Sequence, residues 1–115
     1  MPTHQIRVAS TGDFKKKNSI KFPCGRLKEG FVIFWKNRFF GYENICRHQA
    51  LPLDYGDGGF FCPEKTFLLC RNHGAEYDPS TGLCVRGPCQ GASLRPLKVL
   101  VEDDVVWVEI EEEPG

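Results

Sequence analysis

Two short spacings, Cys46-Arg47-His48 and Cys70-Arg71-Asn72-His73, twice set a sulfur beside an imidazole. Thiolate and neutral imidazole both ligate zinc and iron, and neighbours this close let one loop supply two ligands at little ordering cost. If both pairs serve one centre, the fold must bring together two loops separated by the 21 residues between His48 and Cys70. The surrounding stretch suits that demand. Residues 46–91 hold five of the six Cys and seven of the twelve Gly, interrupted only by short apolar pieces, chiefly Phe60-Phe61 and Phe67-Leu68-Leu69. A loop-rich segment of this length inside a domain is either functional or disordered, and its content of Cys and aromatic residues argues against disorder.

On either side of it the pattern is that of strands and turns. Short runs rich in Val, Ile and Phe are closed by Gly, Pro, Asn or Asp, which predicts an all-β protein. Phe31–Trp35 and Phe39–Ile45 flank Lys36-Asn37-Arg38, where Asn37 tolerates the positive φ of a tight hairpin. A second hairpin is expected from Leu97–Val101 through Glu102-Asp103-Asp104 into Val105–Ile110, followed by a frayed tail over 111–115. Ile6–Val8 and Ser19–Phe22 read as short strands. Between them Gly12–Asn18, with its Lys15-Lys16-Lys17 run, is expected to be a solvated loop.

The 115 residues are the size of one domain, with 41% hydrophobic residues to form a modest core. The formal net charge of +0 points to neither nucleic acid nor a membrane surface. The halves differ in sign: residues 1–50 carry ten Lys/Arg against three Asp/Glu, and residues 51–115 carry five against twelve. This describes either solvated faces segregated in sequence or a dipolar surface that orients a partner. No signal-peptide pattern opens the chain and no apolar run is long enough to cross a bilayer, so the expected location is the cytoplasm. In that compartment six Cys point to metal ligation before disulfides.

The flanks of the two pairs extend the pattern to Cys46-x-His48-x-x-x-Pro52-Leu53 and Cys70-x-x-His73-Gly74, followed by Thr81-Gly82 and Gly87-Pro88. In this order the motifs resemble the Rieske family, over roughly residues 6–110. The resemblance implies one Rieske domain: an antiparallel β sandwich or barrel base formed by about 1–45 and 92–110, with a small cluster-binding β subdomain of about 46–91 inserted. It also implies one Rieske-type 2Fe-2S cluster, with Cys46 and Cys70 on one iron and His48 and His73 on the other. Replacing two thiolates by neutral imidazoles removes two negative charges, which raises the potential and favours the added electron on the histidine-bound iron.

The departures from the family pattern also carry information. High-potential members carry an extra Cys in each ligand loop, where this chain has Leu51 and Asn72, and a Ser where it has Ala75. The missing hydroxyl favours a lower potential, whereas Tyr77 stands where a phenol reaches a ligand sulfur in those members. The long gap before Cys70 is read as an elongated hairpin containing Asp54–Gly59 and Cys62–Lys65.

The expected function is that of a soluble, monomeric one-electron carrier of the kind that serves ring-hydroxylating dioxygenases. It would meet a reductase donor and an oxygenase or other acceptor through a tip around His48, Gln49, Leu51, Asn72, His73 and Pro88, with no nucleic acid and no membrane as partner. Other readings stay open at this stage: a tetrahedral zinc or redox-sensing module on the same four ligands, or a non-catalytic subunit of a larger oxidoreductase. Catalysis by a mononuclear iron would need two His and a carboxylate, and only His4, expected to be a solvated terminal residue, is left to supply one. Cys24, Cys62, Cys84 and Cys89 are expected to be buried or inert thiols, and Trp35 and Trp107 core residues.

Overall fold

The computed structural model describes residues 3–15, 18–25, 28–45, 60–61, 67–70, 74–87 and 90–111. Six strands form one antiparallel sheet: β1 (Thr3–Ser10), β2 (Ser19–Gly25), β3 (Lys28–Trp35), β4 (Arg38–Glu43), β8 (Pro96–Glu102) and β9 (Val105–Glu111). Their order is β1-β9-β8-β4-β3-β2, and the sheet curls until its two edges, β1 and β2, approach each other. A second antiparallel sheet contains three very short strands, β5 (Leu68–Leu69), β6 (Glu76–Tyr77) and β7 (Cys84–Arg86), in that order. No α-helix occurs among the described residues, so the all-β expectation holds.

Strand β3 explains how the two sheets are joined. Phe31, Val32 and Ile33 are all fully buried although successive side chains of a strand point to opposite faces. Val32 enters the interior of the curled sheet with Phe14, Phe22, Val106 and Val108. Phe31 and Ile33 face outward, into a second core with Phe60, Leu68, Tyr77 and Leu94. Phe31 stacks on Phe60 with ring centroids 4.0 Å apart and planes within 9°. One strand with two apolar faces thus glues the small sheet to the large one, and each such buried side chain contributes about 1.5–3 kcal/mol.

The hairpins lie where the sequence places them, but their turns are tighter. Lys36 and Asn37 both have positive φ, 48° and 64°, so Trp35 pairs directly with Arg38 and Arg38 opens β4 instead of belonging to the turn. Asp103 and Asp104 do the same at 52° and 63°, leaving Glu102 in β8 opposite Val105. Two residues of positive φ match the right-handed twist of the flanking strands, which a two-residue turn of ordinary negative φ would splay. The segment after β1 departs further from expectation: Thr11–Lys15 is a 3-10 helix, because Phe14 turns into the core and is 2% exposed. Asp13 accepts a hydrogen bond from the Ser10 amide at its start (3.0 Å).

The order β1-β9-β8-β4 also interleaves strands from the basic and acidic halves of the chain. The two strands of the acidic half, β8 and β9, lie side by side between β1 and β4 of the basic half. Trp35 packs at the edge of the outer core. Trp107 departs from its expected core place, lying half-buried on the face of β9 opposite the buried Val106 and Val108. His4 is exposed on β1. The tail beyond 111 lies outside the described residues.

Candidate metal centre

Of the four expected ligands, Cys70 is described; Cys46, His48 and His73 lie outside the described residues. Cys70 directly follows β5 at the top of a hairpin with β6. Its N–H donates to the Ala75 carbonyl (2.8 Å), and its own carbonyl accepts from the Gly74 N–H (2.9 Å), continuing the register Leu68 with Tyr77 and Leu69 with Glu76. Cys70 is therefore tied to Gly74 and Ala75, and Gly74 has the positive φ, 75°, that leads the chain into β6. Both backbone groups of Cys70 are fixed, and its side chain is 0% exposed.

A second loop is pressed against this hairpin. A Cβ on Gly87 would stand 2.8 Å from the Cα of Ala75, so the backbones meet at a distance that only glycine permits. Gly87 of the expected Gly87-Pro88 loop is thus packed on Ala75, whereas Pro88 lies outside the described residues. β7 leads into that loop, and its outer edge is covered: the Cys84 amide donates to the Ala92 carbonyl (2.7 Å), and Leu83 bridges to Ser93. On the other side of the small sheet Phe61 bridges antiparallel to Leu68, consistent with a hairpin ahead of Cys70. The extensions Asp54–Gly59 and Cys62–Lys65 lie outside the described residues, as do Leu51 and Asn72.

Behind the hairpin, Tyr77 is fully buried. The turn that follows it is built by Asp78, whose Oδ1 accepts from the Ser80 amide (2.8 Å) and the Ser80 hydroxyl (2.7 Å). The Ser80 hydroxyl bond is the main reason that the Asp78 carboxyl is held below its ordinary range. Tyr42, from β4, donates its hydroxyl to the Pro79 carbonyl in this turn (2.8 Å), a contact across 37 residues that ties the large sheet to the small one. Nothing in the sequence marks Tyr42 for this part; its signal is a distance in the fold.

Burial, and secondarily the charge of Asp78, pushes the Tyr42 phenol above its ordinary value of 10.0. A group raised on folding contributes stability that is complete below the unfolded value and is lost as pH climbs through the folded one. Tyr42→Phe should therefore cost about 1 kcal/mol near neutral pH and flatten the loss of stability above about pH 10. Urea denaturation at both pH values checks this, and an unchanged alkaline slope would contradict it.

Of the cysteines expected to be buried or inert thiols, only Cys84 has a described side chain. Cys84 is 1% exposed and its thiol donates to the Arg86 carbonyl at 3.3 Å, a buried structural thiol. The side chain of Cys24 and all of Cys62 and Cys89 lie outside the described residues. Among the described residues no three His, Cys, Asp or Glu side chains form a metal-binding group.

The model of the Rieske [2Fe-2S] domain matches residues 4–107. The chain belongs to this family. A Rieske domain carries one 2Fe-2S cluster on two Cys and two His, and Cys70, with its backbone locked and its sulfur withdrawn from water, fits one place in that donor set. No curated protein sequence matches the chain. Among solved structures it is similar to the ferredoxin of carbazole 1,9a-dioxygenase from Nocardioides aromaticivorans IC177, at 25% identity and a TM-score of 0.72, covering 90% of this chain and 95% of that one. The Sphingomonas yanoikuyae B1 ferredoxin is 23% identical with a TM-score of 0.71, covering 94% and 100%. A ferredoxin chain from a complex of reduced oxygenase and oxidized ferredoxin in carbazole 1,9a-dioxygenase is 21% identical with a TM-score of 0.75, covering 96% and 97%. Among the described residues no helix is long and apolar enough to cross a membrane.

Proposed function

We propose that this Rieske domain is a cytoplasmic one-electron carrier that holds its cluster on Cys46, His48, Cys70 and His73 and passes electrons from a reductase to a terminal oxygenase or another redox enzyme. In this reading residues 1–115 form one domain, with 46–91 as the cluster-binding part and 1–45 with 92–110 as its base. When bound, the cluster supplies a reversible one-electron couple, whose potential two imidazole ligands raise above that of an all-thiolate centre.

The observation that carries the reading is the locked Cys70 hairpin with the Gly87 loop packed on Ala75, a rigid frame at one end of a small sheet. Rigid ligand loops keep a metal site nearly unchanged between two oxidation states, as electron exchange requires. Exclusion of water by Phe60, Leu68 and Tyr77 around Cys70 lowers the local dielectric and favours the less charged form of a site. Ala75 offers no hydroxyl to a sulfur, which lowers the potential relative to a Ser at that place. The ferredoxins similar to this chain, one of them seen with its oxygenase, support the acceptor class. A catalytic role has no ligands to build on, because His4 is the only His left once the cluster is served.

EPR of the dithionite-reduced protein, with iron and sulfide counts, tests the reading. A Rieske signal with one 2Fe-2S cluster per chain is expected, together with reoxidation by an oxygenase component. A silent spectrum with stoichiometric zinc would establish the zinc module instead.

A further inference from the structure

The Asp78–Gly82 turn and the β3–β4 hairpin leave a cleft between them of about 480 Å³, within the range of small-molecule sites. Phe67 stands three residues before Cys70, just ahead of β5, and Asp78 directly follows β6; because Leu68 pairs with Tyr77, both lie at the same end of the hairpin. At about 3.3 Å per residue the cleft is roughly 10 Å along the sheet from Cys70, at the end away from the metal centre. It is a separate feature.

Among the described residues its floor is aromatic, formed by half-buried Trp35, Phe40 and Phe67. Its charged groups stand at the lips: Lys36 and Arg38 on the hairpin, Asp78 on the turn. They are not equivalent. Asp78 already accepts two hydrogen bonds from Ser80, and the nearby charge of Lys36 helps to hold its carboxyl ionised. The Lys36 ammonium also lies 5.5 Å from the Trp35 ring centroid, so it is engaged on two sides. Arg38 is exposed and, among the described residues, takes part in no ion pair.

We propose that this cleft binds a small planar aromatic carboxylate, its ring among Trp35, Phe40 and Phe67 and its carboxylate on the Arg38 guanidinium. Offset and edge-on ring contacts recognise a flat π-system, and a guanidinium meets a carboxylate through two parallel hydrogen bonds. With Lys36 and Asp78 offsetting each other, the described lining of the cleft keeps one net positive charge, that of Arg38. That charge selects an anion over a cation of the same shape. The site does not depend on the electron-carrier reading, and its occupancy can be measured whatever the redox partners are.

The test is calorimetric titration of the full-length holoprotein with 2-naphthoate, 2-naphthalenemethanol and 2-naphthylmethylammonium. Trp35 fluorescence is followed in parallel in a Trp107→Phe background. One-to-one binding of the naphthoate with a Kd on the order of 1 mM is expected for a ligand of this size, with the alcohol weaker and the ammonium weakest. Arg38→Gln should weaken the naphthoate by about tenfold. Asp78→Asn, which keeps an oxygen for Ser80, should strengthen it by about threefold. Opposite changes from two lips of one cleft locate the ligand there. Failure of the naphthoate to saturate, an ammonium that binds as tightly, or an Arg38→Gln affinity equal to wild type would overturn the proposal.

Discussion

Cys70→Ser should yield a protein without its 2Fe-2S cluster, whereas Cys84→Ser should retain a full complement of iron and sulfide. The two thiols are matched in burial, at 0% and 1% exposed, and belong to the same apolar core. If both were only small buried hydrophobes, exchanging sulfur for oxygen would cost each about 1–3 kcal/mol through a buried hydroxyl and would leave metal content alone. Their surroundings predict a different outcome. Cys84 donates to the Arg86 carbonyl, a bond that a serine hydroxyl can also make. Cys70 stands where the chain reverses between β5 and β6, its amide and carbonyl both engaged, next to the loop that contains His73. A serine there provides a harder, less acidic ligand than a thiolate, and a site that folds around its metal loses the binding free energy along with the ligand. Iron and sulfide counts with EPR of both variants read the difference. Full cluster occupancy in Cys70→Ser would remove Cys70 from the ligand set.

The parts of this molecule that were legible in the sequence are those whose cause is local. Alternating apolar residues around Lys36-Asn37 and around Asp103-Asp104 reveal the two long hairpins, because both strand periodicity and tolerance of positive φ reside in the residues themselves. What escaped depends on partners distant in the chain. β6 and β7 have two and three residues, too few to display a period, and β7 is held by Ala92 and Ser93 as much as by its own sheet. Phe14 is a single apolar residue beside lysines, so no pattern announces the 3-10 turn that buries it. Tyr42 reads as one more strand residue until its hydroxyl is seen on Pro79. Gly87 is visible as part of a Gly-Pro motif, but the sequence does not say which backbone it must approach.

That approach sets the second large effect. Gly87→Ala should destabilise the protein far more than Gly91→Ala, although both glycines have positive φ, 108° and 96°. At Gly91 an added Cβ meets nothing within 4 Å, so the substitution carries only the conformational penalty of a left-handed residue, about 1–3 kcal/mol. At Gly87 the same penalty is joined by a contact at 2.8 Å from the Ala75 Cα, with the Ala75 Cβ and N at 3.3 and 3.4 Å. Backbone cannot rotate away as a side chain can, so the Gly87 loop must lift from the hairpin that carries Cys70. The combined cost should reach roughly 3–5 kcal/mol, the range reserved for backbone strain combined with disrupted packing. Adding Ala75→Gly should not rescue the variant, because the closest atom is Cα and remains in place. Chemical denaturation gives the stabilities, and the rate at which a chelator bleaches the visible spectrum gives the hold on the cluster. Faster bleaching in Gly87→Ala than in Gly91→Ala at matched temperature would tie the loss to the ligand loops. Equal rates and equal midpoints would show that the contact with Ala75 holds neither the fold nor the cluster.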